Sequence, residues 1–267
     1  MKNHISILVL AASLFTGCSK NSNTPAATVS WSETVTMSAK FEVPAPAGRN
    51  ETATADLQIL SDNTLKYSIV VSNLAAGDAL AAAHIHLGNA GVSGPVYVPL
   101  NGTFSGSTVS GTVQLTAGQA DTIKNQDTYV NVHTTQVGSG LVRGQIDEKV
   151  VYAADIAMSG SNEVPAVSTT ATGLAIIRLT ENKKLYVKVT VNNLEAGDVL
   201  TFAHFHSGSS TVSGPVALGF YSAAADFGTL KTISVDNIFY ASLLADPLYI
   251  NTHSTAHASG LIRGQIR

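Results

Sequence analysis

Ala83-His84-Ile85-His86-Leu87 returns 120 residues later as Ala203-His204-Phe205-His206-Ser207. In both copies small or apolar residues alternate with histidine, and a period of two is that of a strand whose side chains point to opposite faces. The register then holds along the chain. Asn131-Val132-His133-Thr134 becomes Asn251-Thr252-His253-Ser254, and Leu141-Val142-Arg143-Gly144-Gln145-Ile146 becomes Leu261-Ile262-Arg263-Gly264-Gln265-Ile266, each shifted by 120. Solenoid units run about 20–50 residues, so a repeat of this length is a whole domain.

The same alternation runs outward from these strands. Val29, Trp31, Val35, Met37, Ala39 and Phe41 interleave with polar residues, as do Leu65, Tyr67, Ile69 and Val71 and their counterparts Leu185, Val187, Val189 and Val191. Turn-forming clusters separate the runs: Ser61-Asp62-Asn63, Ala76-Gly77-Asp78, Ser93-Gly94-Pro95 and Gly138-Ser139-Gly140. Only Thr116–Asn125 and its match Val235–Ala245 have the pattern of a short helix. The expected fold is all-β: two tandem Greek-key β-sandwich or barrel domains, residues 31–149 and 150–267, each with one short helix. Asp147-Glu148-Lys149 joins them without a Gly/Pro-rich spacer, which predicts close neighbours joined by an exposed linker.

Residues 1–17 read as a signal sequence: Lys2 leads an apolar run from Ile5 to Phe15 that is too short to span a bilayer as a mature helix. It ends in Leu14-Phe15-Thr16-Gly17-Cys18, which resembles a bacterial lipobox, with Phe15 where a small aliphatic residue is usual. Cys18 is the expected lipidation site, an ordinary secretory leader being the alternative, and residues 18–30 the expected flexible tether. The expected location is therefore the bacterial cell envelope, with the chain held to a membrane, outer rather than inner, by lipid on Cys18. A single cysteine permits no disulfide within the chain, so the domains must cohere by packing. Charged residues make up 12% of the sequence and the net charge is −3 with no basic run, which removes the electrostatic footing for nucleic-acid binding.

Parity assigns the polar residues to faces. Ala83 and Ile85 point one way and His84 and His86 the other; Val130 and Val132 leave Asn131 and His133 opposite; Val142 and Ile146 leave Arg143 and Gln145 opposite. Histidines at i and i+2 on one strand face have Cα atoms roughly 6.5–7 Å apart, close enough to converge on one ion. His84, His86 and His133 thus form a candidate three-nitrogen metal site, repeated as His204, His206 and His253. Neutral imidazole suits copper or zinc, and three protein ligands leave a position open. Arg143 and Arg263 are candidates either for an anion-attracting rim or for tying strands together through a carboxylate. The opposing reading makes the same histidines polar strand surface that closes turns. His257 replaces Val137, falls outside the constellation and is expected in a surface loop. Glu42-Val43-Pro44-Ala45 recurs as Glu163-Val164-Pro165-Ala166, with the glutamate expected to meet a buried donor, and Asp78 and Asp198 are expected to cap turns. No nucleophile elbow and no recurring carboxylate pair is present.

Taken together, these motifs resemble the CHRD domain, the module named from chordin and found in bacterial secreted proteins. The resemblance rests on Met158-Ser159-Gly160-Ser161-Asn162-Glu163-Val164-Pro165-Ala166 with Ala171-Thr172-Gly173, on Ala83-His84-Ile85-His86 with Ser93-Gly94-Pro95-Val96, and on Tyr129-Val130-Asn131-Val132-His133-Thr134 with Gly140 to Ile146. It covers both repeats nearly end to end; only Lys40-Phe41, ahead of Glu42, departs from the opening motif. The resemblance implies an extracellular or envelope module without assigned chemistry. A fainter similarity is to copper-zinc superoxide dismutases, in which His84, His86, His133 and Arg143 would stand where copper ligands and an anion-guiding arginine stand. A bridging histidine, a zinc-loop ligand set and a disulfide are missing from that comparison. Two principal expectations follow: a non-catalytic module that binds a protein or small-molecule ligand, or a copper or zinc protein with one three-histidine site per repeat. A purely structural role for the histidines is the third.

Overall fold

The computed structural model describes residues 26–267. The signal sequence and Cys18 lie outside the described residues. The first domain comprises β1 (Val29–Ser38), β2 (Thr52–Leu60), β3 (Thr64–Ser72), β4 (Leu80–Leu87), β5 (Val96–Pro99), β6 (Thr103–Ser105), β7 (Thr108–Gln114), α1 (Ala117–Asn125), β8 (Thr128–Thr134) and β9 (Val142–Gln145). The second follows as β10 (Val150–Ser159), β11 (Thr172–Thr180), β12 (Lys184–Asn192), β13 (Leu200–Ser207), β14 (Val216–Tyr221), β15 (Lys231–Ser234), α2 (Asn237–Ala245), β16 (Leu248–Ser254) and β17 (Ile262–Gln265).

Each domain is one antiparallel sheet wrapped around its own core. The strand orders are β5-β4-β8-β9-β1-β2-β3-β7-β6 and β14-β13-β16-β17-β10-β11-β12-β15. Ile85 and Val98 from one end of the first sheet pack in a single cluster with Ile69 and Val109 from the other, which requires the sheet to curl. Phe205, Ile250, Val187 and Leu179 do the same in the second. The all-β, two-domain expectation is met, with one α-helix per domain at the expected place. Thr116 opens α1 with a reciprocal capping box to Gln119, and Asp236 caps α2.

Three local expectations are corrected. β1 begins at Val29, inside the segment expected to be tether, because Thr28 and Ser61 already bond across to the β2 end. The strand stops at Ser38 rather than running through Phe41: the Ser38 hydroxyl accepts a hydrogen bond from the Lys40 amide at 3.2 Å and starts a 3-10 turn over Ala39–Phe41. The joining segment is only partly exposed. Glu148 is 7% exposed, accepts hydrogen bonds from the Tyr186 hydroxyl at 2.9 Å and the Thr180 hydroxyl at 3.1 Å, and faces Lys184 Nζ at 3.3 Å.

The domains are in close contact, as expected of neighbours without a spacer. Arg178 on β11 is fully buried; it pairs with Asp155 at 2.7 Å and donates across the interface to the Glu42 carbonyl. Asp155 in turn accepts a hydrogen bond from the Ala45 amide at 2.8 Å. Beside this polar pair, Ala90 of the first domain packs with Val150 and Tyr186, flanked by Phe41, Ala153 and Leu230.

Candidate metal centre

Strand pairing assembles the site. His84 lies opposite Asn131 and His86 opposite Tyr129 on the β4–β8 ladder, while His133 pairs with Ala82. The ladder continues into β9, where Asn131 meets Arg143 and Tyr129 meets Gln145. Directly paired residues share a sheet face, so one surface carries all three histidines next to tyrosine, asparagine, arginine and glutamine.

The imidazoles meet. One ligand nitrogen from each of His84, His86 and His133 lies within 4.8 Å of the others, and the same holds for His204, His206 and His253. Three nitrogens sharing one ion at about 2.0–2.1 Å would stand about 3.3–3.6 Å apart, so the spacing seen here would have to close by at most about 1.5 Å for all three to ligate. His84 Nδ1 already sits 3.1 Å from His133 Nε2, and His204 Nδ1 3.1 Å from His253 Nε2.

Backbone carbonyls set the tautomers. His86 Nδ1 lies 2.9 Å from the Gly94 carbonyl and His133 Nδ1 3.0 Å from the Gly138 carbonyl. A carbonyl only accepts, so these Nδ1 atoms carry protons, and in its neutral form each ring has its lone pair on Nε2. The counterparts are His206 to Gly214 at 2.9 Å and His253 to Ala258 at 3.0 Å. His86 and His206 are each 8% exposed, and the Nε2 atom of each is buried without a hydrogen-bond partner. Burying such an acceptor unpaired is costly, and the cost recurs in both domains. Burial holds the His84, His86 and His253 pKa values below the ordinary imidazole range and takes His204 down to about 4. Repulsion among the neighbouring imidazoles adds to it, while the Gly94 and Ala258 carbonyls act in the opposite sense on His86 and His253. These four rings are therefore neutral at pH 7, the state in which imidazole ligates.

Behind the histidines a second layer of side chains is equally duplicated. Tyr129 stacks on His86 with centroids 4.8 Å apart and planes at 11°, and its far face carries the Arg143 guanidinium 3.5 Å from the centroid. Tyr249 stacks on His206 at 4.8 Å and 9°, with Arg263 at 3.4 Å. Arg143 donates to the Val92 and Asn89 carbonyls, both at 2.6 Å, and to Gln145 at 3.1 Å, and Gln145 donates to the Gly88 carbonyl at 2.7 Å. The arginine thus clamps the 88–94 loop that supplies Gly94. Arg143 and Arg263 do not form the expected anion-attracting rim: each is 1% exposed, and the terminal guanidinium nitrogens donate to loop carbonyls and to Gln145 or Gln265. A guanidinium stacked beneath tyrosine cannot meet an anion at the mouth of the site.

Asp78 holds the other loop. It accepts hydrogen bonds from the Ala79 amide at 2.9 Å, the Thr134 hydroxyl at 2.8 Å and the Gln136 amide at 3.1 Å, so the expected turn cap also fastens the segment leading to Gly138. Glu42 receives its buried donor from Asn131 Nδ2 at 2.5 Å. His257 lies half-buried in the loop after β16, its amide on the Ser254 hydroxyl at 3.1 Å, apart from the cluster.

Strand parity places Gln145 on this face, but sequence alone does not single out Tyr129 or Gly94 for the site. The repeated Ser93-Gly94-Pro95 and Ser213-Gly214-Pro215 carried a signal for the glycine. A Cβ on Gly94 would lie 1.6 Å from the Leu87 carbonyl oxygen, and on Gly214 1.6 Å from that of Ser207, so no other residue fits there.

The family model for the CHRD domain matches residues 34–146 and 155–266. No curated protein and no solved structure matches the chain.

Proposed function

The chain belongs to the CHRD domain family, in two tandem copies, and on that premise we propose that it is a non-catalytic binding module whose domains each hold one transition-metal ion, copper or zinc, through three imidazoles. His84, His86 and His133 would bind the first ion and His204, His206 and His253 the second. One observation carries this reading: the buried, unpartnered Nε2 of His86, repeated at His206 in a domain of different core sequence, on a ring grouped with two further imidazoles whose ligand atoms lie within 4.8 Å of one another. Carbonyls holding the Nδ1 atoms of two of the three histidines are the usual means of orienting metal-binding imidazoles, and Tyr129 and Tyr249 stack on one of those two, His86 and His206. His84 needs only to move its proton from Nδ1 to Nε2 to add its lone pair. The fourth position then remains for water or a small-molecule ligand.

Binding at the envelope surface through lipid on Cys18 completes the proposal; the lipobox-like Leu14–Cys18 supports it. Elemental analysis and titration of the purified protein test the metal. We expect about two equivalents per chain, one in His86→Ala, one in His206→Ala and none in the double variant. A wild-type chain that stays metal-free after challenge with copper and with zinc would sink the reading.

A further inference from the structure

The two histidine clusters share an inner clamp but not an outer cover. In the first domain the 88–94 loop is held from within by Arg143 and Gln145 and from outside by the second domain. Ala90 is 2% exposed against Val150 and Tyr186, and a Cβ on Gly91 would lie 2.6 Å from Leu230 Cδ1 and 3.0 Å from Tyr186 Cβ. The equivalent loop of the second domain keeps the inner clamp, with Arg263 donating to the Val212 carbonyl at 3.0 Å and the Ser209 carbonyl at 2.6 Å. Its outer side faces water: Ser210 and Thr211 are exposed and Val212 is 48% exposed.

We propose that the second domain positions the first domain's site, with Leu230 and Tyr186 pressing through Gly91 and Ala90 on the loop whose Gly94 carbonyl orients His86, so that one chain carries two metal sites of unequal affinity. The inference rests on the metal reading above. Its physical basis is ordering cost. A loop already fixed on both sides loses little freedom when its histidine takes an ion, whereas a loop fixed on one side must be ordered at the moment of binding. Leu230 and Tyr186 touch no ligand and act as positioning residues.

Copper(II) or zinc(II) titration against a chromophoric competitor tests this in the full chain, using His206→Ala to leave the first site and His86→Ala to leave the second. The first site should bind about tenfold more tightly. Leu230→Ala should weaken it about threefold to tenfold, less than the 10–100-fold of losing a direct ligand partner, and leave the second site unchanged. Leu230→Met, which conserves volume, should restore it. Amide hydrogen exchange gives a reading without metal: residues 90–94 should exchange more slowly than 210–214, and Leu230→Ala should accelerate only the former. Equal affinities, equal protection, or a Leu230→Ala effect on both sites would overturn the proposal. If neither site takes metal, the metal reading fails by itself and the exchange asymmetry decides whether the loop is clamped.

Discussion

The outer face of β1–β3 and the outer face of β10–β12 are the same surface of the same fold, yet one lies in water and the other is buried against a domain. Row by row, Ser32, Gln58 and Lys66 of the first copy stand where Ala153, Arg178 and Tyr186 stand in the second, and Thr34 and Asp56 stand where Asp155 and Ile176 do. Gln58, Asp56 and Lys66 are exposed, whereas Arg178, Tyr186 and Ile176 are buried. The opposite side of the interface differs in the same way. Phe41, Ala90 and Gly91 face the second domain, while the corresponding Asn162, Ser210 and Thr211 are exposed. Duplication kept the core and the histidine face and changed the contact surfaces. The head-to-tail contact between the copies is therefore not repeated on either outer end, where polar side chains replace the arginine key and the glycine gap. A threonine at the position of Gly91 has no room beneath a leucine at the position of Leu230.

Substituting the key should give the largest effect. Arg178→Ala takes the counter-charge from Asp155, which keeps only the Ala45 amide, and leaves the Glu42 carbonyl unpaired at a buried interface; we expect a loss of about 3–5 kcal/mol in denaturant unfolding, with the domains separating into two transitions. Gln58→Ala, at the matching exposed position, should stay within about 0.5 kcal/mol. Equal effects would show that the two faces are energetically alike.

The pH dependence sharpens the same contrast. Burial raises Glu42 and Glu163 to about 7, against the pull of Arg143 and Arg178 on Glu42 and of Arg263 on Glu163. Between about 4.5 and 7 these two carboxyls hold protons in the folded chain that they have released in the unfolded one, so their share of the stability is largest at the low end and falls as pH rises through this window, while the depressed His84, His86, His204 and His253 act in the opposite sense below about 6.5. Glu42→Gln should flatten part of that fall, by about 2 kcal/mol. Arg178→Met should move the Glu42 titration further up and leave Glu163 in place, as carboxyl NMR titration would read. A Glu163 shift of the same size would remove the distinction between the copies.

Smaller again is the steric test. Gly91→Val should cost about 1–3 kcal/mol by overpacking against Leu230, whereas Thr211→Val on the free loop should be close to neutral. Thermal unfolding of the two variants side by side gives the answer.

Much of the site was legible because strand parity is strict. Once Ala83 and Ile85 were assigned inward, His84 and His86 had to share the other face, and the 120-residue repeat brought His133 and His253 to the same place. Arg143 was not legible: an arginine on a face away from the core reads as solvent-facing until a loop from elsewhere in the chain closes over it. The interface did leave a trace. Ile176-Ile177-Arg178-Leu179 does not alternate, unlike Asp56-Leu57-Gln58-Ile59, and a strand covered on both faces loses its period of two.

The amino-acid sequence by itself determined the strands, their inward and outward faces, the division into two like domains and the grouping of three histidines in each, because all of these depend on local period and on an exact repeat. Only the tertiary structure decided which outward faces are covered, where the arginine donors go, which imidazole nitrogens carry protons and which are left bare. The covered faces and the arginine contacts depend on residues 50 to 140 positions apart, and the imidazole tautomers on carbonyls 5 to 8 positions away in loops whose placement the local pattern does not encode.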